Sequence, residues 1–189
     1  MADHELWDEV QRPAAPPAPA GFPYTPTGRA IGAHLGEVHE HLRHELEQLR
    51  QVIAEVRGGR TSAAEAREFI SELTMRQHNW AIGAYCANYC RVVTTHHSLE
   101  DAAVFPHLRR SDSGLVPVLD RLEAEHVIIH GVLEEVDRAL VDVMGEQSDL
   151  LALQEVTDLL SAVLISHLDY EEAQIVEPLS RYGFFPGQL

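Results

Sequence analysis

The sequence predicts an all-α protein, an antiparallel up-down-up-down four-helix bundle with an extended Pro-rich N-terminal tail. Three observations carry that expectation. Apolar residues recur at helical spacing over four long stretches, no stretch alternates with the period of a strand, and turn residues mark the links between them. Short links make neighbouring helices run in opposite directions.

Residues 1–27 hold six of the ten prolines and nothing periodic, which predicts an extended or disordered tail, with Trp7 either loosely tethered or docked onto the domain or a partner. The bundle is assigned to residues 28–182, with a short C-terminal tail at 183–189. Helix A is predicted from Arg29 to Arg57, where Ile31, Leu35, Val38, Leu42, Leu46, Leu49, Ile53 and Val56 share one face and Gly58-Gly59 ends the run. Thr61 and Ser62 with Glu65 resemble a capping box opening a short segment to about Met75, and Asn79 is the predicted N-cap of helix B, which continues to Arg110. The turn Ser111–Gly114 leads to helix C, Leu115 to Met144. Gly145 to Ser148 turns into helix D, Asp149 to Val176, ahead of the closing EPLSRYGFFPGQL.

Against 14 basic residues stand 30 acidic ones, a formal charge of −16, which argues against nucleic acid or an anionic membrane as a partner. Cys86 and Cys90 sit one helical turn apart on an apolar stretch and read as small buried residues. A disulfide at that spacing is awkward and two thiols make an incomplete zinc set. Cytoplasmic residence is the expectation, with no membrane span and no secretory signal.

The chemistry lies in the histidines, 12 in all. On helix B, RVVTTHHSLEDAAVFPHLRR places His96 four residues before Glu100 and His97 four before Asp101, so an imidazole and a carboxylate share a face. A helical wheel puts Glu100 near the centre of the apolar stripe, flanked by both histidines, and does not choose between them. His39 is the inward histidine of helix A, while His41 and His44 fall outside its stripe. Helix C offers His126 and His130, and helix D offers His167 and Glu171 while Glu172 turns outward. With about 1.5 Å of rise per residue, these positions come level across each helix connection. Burying so many polar groups without a compensating cation costs several kcal/mol per ion. Five imidazoles and two carboxylates exceed one tetrahedral zinc. They suit two adjacent six-coordinate ions bridged by carboxylates, and nitrogen and oxygen donors without thiolate favour iron or manganese.

The order H, H-x3-E, H-x3-H, H-x3-E, carried by HEHLRHEL, HHSLEDAAVFP, EHVIIH and HLDYEE followed by EPL, resembles the hemerythrin-like proteins of the HHE cation-binding family over residues 29 to 180. That resemblance implies a carboxylate-bridged, non-haem di-iron centre. Glu100 and Glu171 would bridge, His126, His130 and His167 would complete one iron, and His39 and His96 would serve the other, leaving it an open position for O2. Val104, Phe105 and Pro106 follow Glu100 as the family pattern has it, which selects His96 and Glu100 over His97 and Asp101. The family's oxygen carriers space their last pair as H-x4-D, whereas this chain has H-x3-E, so reversible oxygen carriage does not follow.

The expected function is binding of O2, NO or peroxide at a pair of iron ions for sensing, storage or scavenging. Peroxide disproportionation or NO reduction at the same centre is the rival, and a metal-free or zinc-filled structural bundle a third reading. Tyr89, two turns before His96, could line the ligand pocket or stand as a core tyrosine. A monomer or weak homodimer with an unspecified redox partner completes the expectation.

Overall fold

The computed structural model describes residues 6–58, 82–144 and 150–184. Helix α1 spans Pro26–Arg57 and α2 spans Ile82–Leu99. A π-helical turn, Glu100–Val104, joins α2 to α3, Phe105–Ser111. A short 3-10 turn, Ser113–Leu115, leads into α4, Val116–Met144, and α5 covers Leu150–Tyr182. The described residues contain no strand, and α2, the π turn and α3 act as one long rod, so the protein is the four-helix bundle that the periodicity predicts.

Contacts fix how the rods pair. At the start of α1, a Cβ on Gly32 would lie 2.1 Å from Ser180 Oγ and 2.5 Å from the Val176 carbonyl, near the end of α5. At the other end Arg57 donates to Gln154, so α1 and α5 run in opposite directions. The end of α5 returns to the start of α4, where the Tyr182 hydroxyl donates to Asp112 at 2.9 Å.

The interior is layered. Leu42, Leu46, Leu49, Tyr89, Val93, Ile129, Leu133, Leu160 and Leu164 belong to one apolar cluster. Phe105, Leu108, Leu115, Leu119, Leu122, Ile175 and Leu179 belong to another. Between them, every rod carries buried polar residues: His39 on α1, His97 and Glu100 on the second rod, Glu125 and His126 on α4, His167 and Glu171 on α5.

Three predicted features change. Helix D does not stop at Val176: α5 runs on through Pro178 to Tyr182. Pro178 and Leu179 are buried there, and the packing outweighs the one backbone bond that proline forgoes. Gly183, at φ 69°, then ends the helix in the left-handed conformation, its N–H donating to the Leu179 carbonyl. Trp7 is no loose tether, since it packs against the first apolar cluster. The π turn in helix B was not foreseen. Pro106 has no N–H to offer the Ala102 carbonyl, and the chain takes up one extra residue in the turn just before it, with Phe105 N–H closing on the Glu100 carbonyl. The capping box at Thr61, Ser62 and Glu65, the N-cap Asn79 and the turn Gly145 to Ser148 lie outside the described residues, as does the side chain of Cys86. Cys90 is partly buried, and burial pushes its thiol up to about 11.

α5 is long and apolar enough by composition to cross a membrane. In the bundle it instead places His167 and Glu171 in the interior, at 0 % exposure.

Candidate metal centre

The polar layer resolves into two groups of donors. His97, His126 and His167 are all buried, and one ring nitrogen from each lies within 4.8 Å of the others. His39, His96, Glu100 and Glu171 form the second group on the same measure. The two carboxylates reach both groups. Glu100 points Oε1 at His96 Nε2, 3.2 Å away, and Oε2 at His126 Nε2, 3.7 Å away. Glu171 Oε2 stands 3.5 Å from His39 Nε2 and 3.7 Å from His167 Nε2. None of these approaches is a hydrogen bond, and all four carboxylate oxygens, with His97 Nε2, are buried without a hydrogen-bond partner among the described residues. Orphaned buried acceptors in such number are exceptional and point to a missing cation.

The outer side of the rings fixes which nitrogen is the free donor. His39 Nδ1 donates to Glu172 at 3.0 Å, His126 Nδ1 to Asp101 at 2.8 Å, and His167 Nδ1 to Glu125 at 3.1 Å. An ionised carboxylate only accepts, so in each neutral ring the proton sits on Nδ1 and Nε2 presents a lone pair inwards. His126 Nε2 and His167 Nε2 then face each other at 3.1 Å, lone pair to lone pair. That contact is repulsive unless a proton or a cation lies between the nitrogens. A carboxylate behind an imidazole is also the usual outer support of a metal-bound histidine.

The electrostatics agree. Burial drives His39 and His96 down to about 3 and His97 well below the usual imidazole range, each helped by neighbouring imidazoles. Burial brings His167 down to about 4 against the opposing bond to Glu125. These rings are neutral at pH 7, the form that binds metal. Burial, and then the facing Glu171, raise Glu100 well above the carboxylate range. Burial likewise pushes Glu171 up to about 8, against the opposing pull of the facing Glu100 and with Glu172, Asp101 and Glu125 adding to the rise. Glu125 is the exception. Burial would raise it, but bonds from His167, Arg12 and Arg121 overcome that and bring it to about 2.

His39, His96, Glu100, His126, His167 and Glu171 therefore meet at one level. His130 does not. Its side chain is 57 % exposed and faces Glu134. Four residues advance a helix about 40° beyond a full turn, and His126 already stands at the margin of the buried stripe, so the next step carries His130 into solvent. Its place is taken by His97, whose ring stacks on His126 with centroids 4.0 Å apart. Tyr89 takes the core-tyrosine alternative in its packing: it is buried in the first apolar cluster and its hydroxyl donates to the Leu42 carbonyl at 3.1 Å. Glu172, expected to turn outward, reaches back to His39 and also receives Arg43. Glu125 and Asp101 were missed as outer partners. Glu125 carried a signal, since Leu122, Glu125 and Ile129 share one helical face.

Fold and site together define a helical bundle built to hold cations between imidazole and carboxylate donors. A family described as Hemerythrin HHE cation binding domain matches residues 30–179, and the chain belongs to that family. Comparison with curated proteins and with solved structures gave no match.

Proposed function

We propose that this protein holds two iron ions and uses them to bind O2, NO or peroxide for sensing, storage or scavenging. His97, His126 and His167 would hold one ion and His39 and His96 the other, with Glu100 and Glu171 shared. The observation that carries the reading is the pair of buried, unpartnered carboxylates, each within 3.7 Å of a histidine from both groups. An iron pair, when bound, supplies a coordination site for a small ligand and exchanges electrons with it. The protein's part is to keep His39, His96, His97 and His167 deprotonated by burial, to aim Nε2 inwards from Nδ1–carboxylate bonds, and to close both ends of the layer with apolar clusters. Three imidazoles would serve one ion and two the other, so the ion held by His39 and His96 would have fewer protein donors and be the one to take a small ligand.

A cavity of about 270 Å³, lined in part by His97, Ser98, Asp101, His126 and His130, favours a second reading, peroxide turnover. Asp101 is bonded to His126 and 42 % exposed, which places a proton acceptor between solvent and the donor group.

The test is metal analysis of the purified chain, followed by spectra of the reduced protein before and after O2, NO and peroxide. Two irons per chain and a new absorption band with O2 or NO are expected. Rapid loss of peroxide without a persistent band would select the enzymatic reading, and a chain that binds no iron would end both.

A further inference from the structure

Between Trp7 and Ala15 the segment ahead of α1 is tied to the bundle at several points. Trp7 packs on the first apolar cluster, the Tyr170 hydroxyl donates to the Pro13 carbonyl at 2.7 Å, and Ala15 N–H donates to Gln174 Oε1 at 2.7 Å. Between these ties Arg12 turns inwards, its side chain only 9 % exposed. Its guanidinium lies 4.6 Å from the centre of the Tyr170 ring and gives Glu125 a paired grip, Nε to Oε1 at 2.9 Å and Nη2 to Oε2 at 2.9 Å. Glu125 itself is completely buried. Its Oε2 also receives His167 Nδ1, so an unbroken line of hydrogen bonds runs from the N-terminal segment to the three-histidine group.

We propose that the N-terminal segment is a working part of the metal centre, with Arg12 the positioning residue that fixes Glu125 and, through it, the ring of His167. The inference rests on the two-ion reading above. Arg121 also donates to Glu125, at 2.6 Å, but to Oε1. Without Arg12, Oε1 keeps a cation while Oε2, the oxygen that faces His167, loses its own, and the carboxylate turns towards Arg121. The forked geometry matters as well as the charge, because a guanidinium sets the plane of a carboxylate and an ammonium does not. The other donor group is independent of the segment: Glu172, which holds His39, is gripped by Arg43 of α1 at 2.7 Å. Loss of Arg12 therefore acts on one ion of the two.

The experiment uses the full-length, metal-free chain titrated with cobalt(II) against a competing chelator, with Arg12→Ala, Arg12→Lys and Arg43→Ala compared. The unaltered chain takes up two ions. Arg12→Ala weakens one of them by about 10- to 100-fold, the usual effect of losing an outer partner. Arg43→Ala weakens one ion too, but the tight ion left behind has a different cobalt spectrum, because one site has three imidazole donors and the other two. Arg12→Lys, with one bond in place of two, weakens the same ion as Arg12→Ala to a smaller degree, and it decides the matter if Arg12→Ala does not fold. Unchanged affinity for both ions in the Arg12 variants would overturn the role of Arg12, as would equal weakening of both. An unaltered chain that binds no metal would overturn the two-ion reading and this inference with it.

Discussion

Replacing Glu171 by Gln should stabilise the metal-free protein while removing its ability to hold both ions. Glu171 is fully buried, neither oxygen has a hydrogen-bond partner, and its pKa is pushed up to about 8. A folded-state pKa above the unfolded value means that the fold keeps a proton the unfolded chain releases. The associated stability is complete below the ordinary value of 4.5 and is lost as pH rises towards 8. Each pH unit in that interval is worth about 1.36 kcal/mol, so the ceiling at pH 7 is about 3 kcal/mol. Glu100 stands against Glu171 and the two compete for protons, so that ceiling belongs to the pair rather than to Glu171 alone. Gln matches the shape, carries no charge and can donate to Glu100, so the variant escapes this penalty. Urea denaturation of the chelator-treated proteins, followed by circular dichroism, should show near-equal midpoints at pH 4.5 and an advantage for Glu171→Gln that widens to pH 7.5. A gap that does not change with pH, or a variant less stable than the parent at pH 7.5, would refute the reasoning. Iron uptake by the same variant should fall below two ions per chain.

Two further outcomes follow from the geometry. His130→Ala should leave metal stoichiometry and affinity unchanged, whereas His97→Ala should cost one ion by more than the roughly 10- to 100-fold of an outer partner, both read by chelator competition. Gly32→Ala drives a Cβ to 2.5 Å from the Val176 carbonyl and should destabilise by about 1–3 kcal/mol, while Gly36→Ala, with nothing within 4 Å of its Cβ, should be neutral or slightly stabilising in thermal melts.

The level of the site was legible because rise per residue is nearly constant: His39, Glu100, His126 and His167 sit where counting places them. Azimuth was less legible. The helical wheel does not separate His96 from His97 and the family pattern takes His96 alone, whereas both stand in regular helix just ahead of the π turn and each joins a donor group. Both histidines, on adjacent sides of α2, find donors to join, and Asp101 supports His126 where helical spacing had paired it with His97. His130 shows the converse error: H-x3-H is a ligand spacing only where the middle of the pair faces inwards, and here His126 alone does. The outer carboxylates were hidden for another reason. Glu172 and Asp101 stand on partly solvated faces, and their role comes from a partner on a different helix, which no periodicity within one helix can show.

The arrangement also explains how an acidic chain keeps such a cluster stable. Inward-facing lone pairs and carboxylates attract a cation, the rings that supply them lean on outer carboxylates, and two of those carboxylates lean on guanidinium groups: Glu125 on Arg12 and Arg121, and Glu172 on Arg43. Glu125 and Glu172 thus each have a positive neighbour that offsets their desolvation locally, which Glu100 and Glu171 lack among the described residues. Arg12 comes from the N-terminal segment, Arg43 from α1 and Arg121 from α4, so three separate pieces of chain must dock before the outer layer is complete. On the two-ion reading, metal affinity and docking would be coupled in both directions: whatever favours the packed N-terminal segment would tighten the three-histidine group, and an ion there, by fixing His167, would favour the packed segment by the same factor.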